Sequence, residues 1–169
     1  MAIHAIIHIP DKRLTALNET VSVFDTPLQR LIDDMFETMY AAKGIGLAAP
    51  QIAINKKLVV IDVSSDRSST LCLINPEIIE KRGEAPMEEG CLSIPGVYEK
   101  VPRALWVKLS AIDRNGSPYE IEADGLLAHC IQHEVDHLNG KLFLDYLSPL
   151  KRQLARKKLE KMKKRQASL

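Results

Sequence analysis

Apolar positions along this chain form two helix-period stripes separated by shorter, strand-like runs. Over residues 27–42 (PLQRLIDDMFETMYAA), Leu28, Leu31, Ile32, Met35, Met39 and Tyr40 fall on one helical face, and Gly44 ends the run. That stripe reads as a core face. The second stripe, from Ala123 to Leu138, carries Leu126, Leu127, Ile131, Val135 and Leu138. Asp124 stands at its N-cap position and Asn139-Gly140 supplies a stop. Runs at 58–63 (LVVIDV), 71–74 (LCLI), 104–113 (ALWVKLSAID) and 118–123 (PYEIEA) predict strands. Arg114-Asn115-Gly116, between the last two, is a hairpin-turn signal, and 64–70 (SSDRSST) reads as an exposed loop. No internal repeat or low-complexity linker interrupts the pattern. A helix that follows antiparallel strands predicts an α+β fold.

Composition narrows the class. At 169 residues and 46% hydrophobic, the chain suits one well-buried domain. No signal peptide, transit peptide or apolar run of membrane-spanning length is visible. Three cysteines (Cys72, Cys91 and Cys130) without a secretory signal fit a reducing cytoplasm and not a disulfide framework. Cys72, in LCLINP, reads as a small core hydrophobe.

The net charge of +1 hides an asymmetry. From Lys151 to Leu169 nine Lys and Arg face one Glu, so this segment carries +8 and the remainder −7. It follows Ser148-Pro149, a helix-start signal, and KRQLARKKLEKMKKRQ has almost no breakers. Leu150, Leu154 and Met162 give only a ragged apolar stripe. A solvated terminal helix and an electrostatic contact with a phosphate backbone both fit.

The chemistry concentrates in QHEVDHLNG, from Gln132 to Gly140. On a helix, His133 and His137 project from one face a turn apart and can grip one metal ion. Glu134 between them is placed to take a proton from metal-bound water. A solvated or core helix with two chance histidines is the bland alternative. Leu126, Cys130, His133 and His137 lie at i, i+4, i+7 and i+11, so the histidines share a face with apolar neighbours and need partners. A third ligand is missing downstream. The metzincin-type position three residues past Gly140 is Phe143, and the only later Glu, Glu160, lies in a lysine run. Upstream, Cys91 in EEGCLSIPG offers a thiolate in a segment with Gly on both sides. Cys91, His133 and His137 would leave a fourth position open, a catalytic arrangement.

GIGLAAPQ (44–51), EGCLSIP (89–95) and QHEVDHLNG resemble, in order and spacing, the three motifs of peptide deformylase. The resemblance covers nearly the whole chain and is closest to the bacterial form. It implies sheets packed around a central helix carrying HExxH, in a catalytic domain over 1–148. A basic C-terminal helical extension over 149–169 would dock on the ribosome near the peptide exit. It also implies hydrolysis of the N-formyl group from N-formylmethionyl nascent peptides, releasing formate, by a cytoplasmic enzyme that uses no membrane or DNA partner; the sequence is silent on oligomeric state, and monomer is the default.

The residues that the resemblance assigns follow from motif position. Cys91, His133 and His137 hold the metal and Glu134 moves the proton. The Gln51 side-chain amide and the Leu92 backbone N–H stabilise the oxyanion, although a loop glutamine bonding local backbone is the plain alternative for Gln51. The substrate pairs as an added strand with Gly44–Gly46 and with 87–91, which includes Gly90. Ile45, Met87, Leu126, Cys130 and the His133 ring line the methionine pocket. His129 departs from the pattern, because the family usually has an apolar residue there. An outward-turned surface histidine is the plain reading and is favoured over a fourth ligand; His129 is also taken among the substrate-binding residues, where it would alter side-chain preference or inhibitor affinity. Glu89 and Arg103 match positions that form a supporting ion pair, while His4 and His8 match no motif. The donor set suits Zn²⁺ and also holds Fe²⁺, Ni²⁺ or Co²⁺; the resemblance implies one Fe²⁺ per chain, which is oxygen-sensitive beside a thiolate. A small metalloendopeptidase, and an RNA-binding module with a structural metal, are the rival classes.

Overall fold

The structure, a computed structural model, describes residues 2–167. Met1 and the last two residues of the expected extension, Ser168 and Leu169, lie outside the described residues. Helix α1 runs over Thr26–Ala41; the Asp25 side chain accepts the Leu28 N–H and Pro27 fills its first turn. Its buried face is Leu28, Ile32, Met35, Thr38 and Met39; of the stripe read from the sequence, Leu31 and Tyr40 are only partly buried against the same cluster, and Thr38 was not part of it.

Strands β1 (Gly46–Ala48), β2 (Leu58–Ile61) and β3 (Leu71–Arg82) follow, then β4 (Ala85–Cys91), β5 (Ile94–Arg103), β6 (Trp106–Ile112) and β7 (Pro118–Asp124). Five of them make an antiparallel sheet in the order β1-β2-β3-β6-β7, and β4-β5 is a separate hairpin. All four residues of β2 are buried, because both of its faces are covered. Leu58 and Val60 point into a cluster with Ile32, Met35 and Met39 of α1. Val59 and Ile61 point the other way, toward helix α2 (Gly125–Leu138), where they join Ala128, Ile131 and Val135. The second stripe is therefore the central helix.

The four predicted strands exist, with shifted ends. β3 continues eight residues past the apolar run, to Arg82, with register irregularities between Ile74 and Glu77 and between Ile78 and Glu80. Those breaks and a polar exposed stretch hide it from a period-two reading. β1, β4 and β5 lie outside the predicted strands. β4 alternates in burial but not in hydropathy, since its one fully buried residue is Glu89. Asp124 occupies the N-cap of α2 without a side-chain capping bond, and Gly125 beside it has φ +55°. The expected cap is thus positional only. At the other end Gly140 has φ +73°, and a Cβ there would stand 3.1 Å from the Thr15 carbonyl oxygen.

After a short 3₁₀ turn at Phe143–Tyr146, helix α3 spans Pro149–Ala167. Its anchoring residues differ from the expected stripe. Leu150 and Leu154 are 65% and 56% exposed, whereas Ala155 and Leu159 are buried against Phe143, Ile94, Val97 and Val101. Ala155, Leu159 and Met162 are spaced i, i+4 and i+7, a regular helical face on the hairpin, and Met162 packs over Gly96. Lys158 donates to the Gly96 carbonyl at 2.6 Å and Lys151 to Glu99 at 3.2 Å. Among the described residues no helix is long and apolar enough to cross a membrane.

One side chain ties α2 to the start of β6. Buried Gln132 accepts the Ala104 N–H (2.8 Å) and donates to the carbonyls of Ala104 (3.0 Å) and Ala128 (2.9 Å). Gln132→Ala strands both polar groups of Ala104, and a loss of about 2–4 kcal/mol is expected. A urea titration checks this, with the midpoint falling and the slope unchanged.

Candidate metal centre

Helical spacing on α2 sets the first two donors: the Nε2 atoms of His133 and His137 lie 3.2 Å apart. The third comes from another element. Cys91 ends β4, just before the two-residue turn Leu92-Ser93, and its Sγ lies 3.3 Å from His137 Nε2. The three donor atoms all lie within 4.8 Å of one another. A soft thiolate with two imidazole nitrogens, converging from a helix and a hairpin, fits a divalent transition metal with one coordination position open.

Glu89 organises the surroundings. Its carboxylate is buried and accepts from Arg103 Nε (2.5 Å) and Nη2 (2.8 Å), His129 Nε2 (2.8 Å) and His133 Nδ1 (2.7 Å). Because a carboxylate only accepts, His133 carries its hydrogen on Nδ1, and its Nε2 lone pair is left for the metal position. Burial works to raise the Glu89 pKa. The Arg103 guanidinium and the two imidazole N–H groups reverse this and hold it well below the usual carboxylate range. Arg103 Nη1 reaches Asp136 at 2.7 Å, and Asp136 also accepts the Tyr146 hydroxyl at 2.8 Å. The ion pair is therefore part of a chain of buried and half-buried polar groups running from β4 to the end of α2.

His129 takes the pocket position and not the surface one. It is not outward-turned: it is 8% exposed, bonded to Glu89, and part of the cleft wall. Nor does it join the three donors. It turns inward because Glu89, one strand away, offers a buried carboxylate oxygen.

Glu134 is fully buried beside the donors, with Oε1 3.8 Å from His133 Nε2 and Oε2 without a hydrogen-bond partner. Burial pushes its carboxyl pKa up to about 7, against the opposing effect of nearby His133. For His133 burial acts downward, but hydrogen bonds to Cys91 and Glu89 hold its pKa well above the ordinary value, so a metal has to displace the Nε2 proton to take that lone pair. His137 is held well below it by burial and by the neighbouring His133. Gln51 sits in a 3₁₀ turn, Ala49–Ile52. Its Oε1 accepts the Ala48 N–H at 2.9 Å, and its Nε2 lies 3.2 Å from Ser93 Oγ and 3.6 Å from Cys91 Sγ. One end thus bonds local backbone, as the plain reading has it, while the other points toward the donors.

A cleft of about 450 Å³ opens over these groups. It runs between the edge strand β1 and the hairpin strand β4, with α2 as its floor. Gly44, Ile45 and Gly46 form one wall, and Glu89, Gly90, Cys91 and Leu92 the other. Leu126, His129, Cys130 and His133 project from the helix. Gly46 has to be glycine, since a Cβ there would stand 2.8 Å from Cys130 Sγ and 3.0 Å from Glu134 Oε1. Met87 is not among the lining residues. It pairs with Val101, four residues up β4 from Cys91, about 13 Å at the usual strand rise.

The sequence reading also missed several residues. Tyr98 and Lys43 line the cleft and Ser93 holds Gln51. Asp136 stood inside QHEVDHLNG, one turn from His133, which was the available signal. A second cavity, of about 470 Å³, lies between residues 9–15 and α3 and holds none of the donors. His4 pairs with Asp34 at 3.2 Å, far from the site in the chain.

Comparison with known proteins agrees. The polypeptide deformylase family model matches residues 3–153. The crystal structure of a peptide deformylase from Legionella pneumophila superposes with a TM-score of 0.95 at 54% identity, covering 98% of each chain. One from Ehrlichia chaffeensis, in complex with actinonin, gives 0.92 at 40% identity over 96% of this chain and 98% of that one. One from Synechococcus elongatus, also with actinonin, gives 0.89 at 46% identity over 93% and 88%. With a match over most of its length and more than half of its residues identical to one solved relative, the chain belongs to the polypeptide deformylase family.

Proposed function

We propose that Cys91, His133 and His137 hold one divalent cation in this deformylase, and that Glu134 carries the proton as the N-formyl group of a nascent polypeptide leaves as formate. The observation that carries this reading is the convergence of three donor atoms within 4.8 Å beside a buried carboxylate with an unpartnered oxygen. A divalent cation there supplies Lewis-acid chemistry, lowering the pKa of water and withdrawing charge from a carbonyl oxygen. Glu134 Oε2 accepts the proton from the attacking water and returns it to the departing amide nitrogen. Burial disfavours the charged carboxylate and so helps Glu134 to hold that proton between the two transfers. The Gln51 amide, oriented by the Ala48 N–H, and the Leu92 backbone N–H donate to the oxyanion that forms on the formyl group.

The peptide lies between the free edges of β1 and β4 as an added strand, along Gly44–Gly46 and 88–91. Its methionine side chain enters beside Ile45, Leu126, Cys130 and the His133 ring, with His129 as a polar wall. The native metal is Fe²⁺, with Zn²⁺, Ni²⁺ and Co²⁺ able to replace it. Residues 1–148 form the catalytic unit and 149–169 an extension, anchored through Ala155 and Leu159. Its outward lysines and arginines dock on ribosomal phosphates near the peptide exit, in the cytoplasm where nascent chains emerge. The enzyme works as a monomer without a membrane or DNA partner.

Formate release from a formyl-Met tripeptide by anaerobically prepared, iron-loaded protein tests the reading. Glu134→Ala is expected to keep its metal and lose about 10²- to 10⁴-fold in turnover. Active Glu134→Ala, or wild type that cleaves only unformylated peptides, would overturn the assignment. Glu89→Gln removes an acceptor shared by two imidazoles and Arg103. Metal affinity, followed by chelator competition, is expected to drop about 10- to 100-fold.

A further inference from the structure

We infer that Asp62 is a positioning residue for the substrate, latching the strand Gly44–Gly46 in the place where the peptide pairs with it. The inference rests on the reading above that the peptide backbone lies along β1.

Asp62 follows the last residue of β2. It is 2% exposed and takes no part in the metal centre. Its carboxylate accepts the Tyr40 hydroxyl (2.6 Å), the Ser64 hydroxyl (2.5 Å), the Ser64 N–H (2.9 Å) and the Ser69 N–H. Its own N–H donates to the Ile45 carbonyl at 2.9 Å. Tyr40 belongs to the last turn of α1, and the Gly44 N–H returns to the Met39 carbonyl at 3.0 Å. Asp62 therefore grips both ends of the turn that delivers the chain from α1 into β1. The Arg67 guanidinium stacks 4.4 Å from the Tyr40 ring centroid and closes the loop 64–70 over the pair.

This grip sets which backbone groups face the cleft. The Asp62 N–H turns the Ile45 carbonyl toward β2, one residue beyond the registered pair Gly46–Ile61. The groups of Gly46 then turn to the free edge, where a peptide strand reaches them. Ile45 itself is 39% exposed, so its own side chain adds little packing to the turn. The donors and Glu134 sit on β4 and α2, which hydrogen bonds from the Asp62 side chain do not reach. Loosening the latch should weaken peptide binding and spare the chemistry.

The test compares formyl-Met-Ala-Ser with formyl-methionine amide, which lacks the downstream residues that pair with β1, on iron-loaded protein. Asp62→Ala is expected to raise KM for the tripeptide about 10-fold with kcat within about 2-fold, the signature of lost uniform binding. KM for the amide is expected to move less than about 2-fold. Asp62→Asn keeps an acceptor for Ser64 and should restore the tripeptide KM to within about 3-fold of wild type. Tyr40→Phe keeps the ring under Arg67 and should raise it about 3-fold, which covers the case in which Asp62→Ala does not fold. Equal losses on both substrates, a fall in kcat at unchanged KM, or no change in Tyr40→Phe would each overturn the latch. Wild type that releases no formate from either substrate would overturn the reading of the site, and this inference with it.

Discussion

Everything at the centre depends on one buried carboxylate. Glu89 comes from β4, Arg103 from the end of β5, and His129 and His133 from α2, so its four hydrogen bonds join the hairpin to the central helix. A buried charge persists only when its lone pairs are occupied and its counter-charge is close, and here both conditions are met. Partners of Glu89 determine where the hairpin sits, and the hairpin carries Cys91. The electrostatic arrangement thus sets the geometry of the thiolate as well as the tautomer of His133.

The five-stranded sheet supplies the other half of the frame. Because β2 is covered on both faces, by α1 and by α2, it is fixed in depth, and β1 next to it ends the sheet. The hairpin ends its own sheet opposite that edge. Two edges with unpaired backbone groups, held apart by α2, make a slot whose natural occupant is another extended chain. Edges are usually a liability in a soluble fold; here they border the cleft.

How much of this could be read from residues alone varied with the physics involved. Hydrophobic periodicity marks α1, α2 and β2, whose buried faces are apolar. It fails at β4, where the buried residue is Glu89, and in the second half of β3, where the exposed stretch is polar and the register breaks. The His133–His137 spacing and Glu134 were visible because helix geometry makes spacing equivalent to position. Cys91 needed elimination and motif order, since 42 residues separate it from His133. His129 was left between surface and pocket because its orientation depends on a carboxylate from another sheet, which no local pattern displays. Leu150 and Leu154 misled for a related reason: either helical face of α3 offers aliphatic residues, and only the docked hairpin decides that Ala155 and Leu159 are buried.

The donors' separation in sequence has a further consequence, in polymer terms. A cation held jointly by Cys91 and His133 closes a loop of about 42 residues that contains β5, β6, β7 and the first half of α2. Such a closure restricts the unfolded chain much as a disulfide of that span does, by roughly 4 kcal/mol on the chain-entropy argument. The bound metal would thus act as a reversible cross-link as well as a reagent, and the two sides of the cleft would lose that tether whenever it departs.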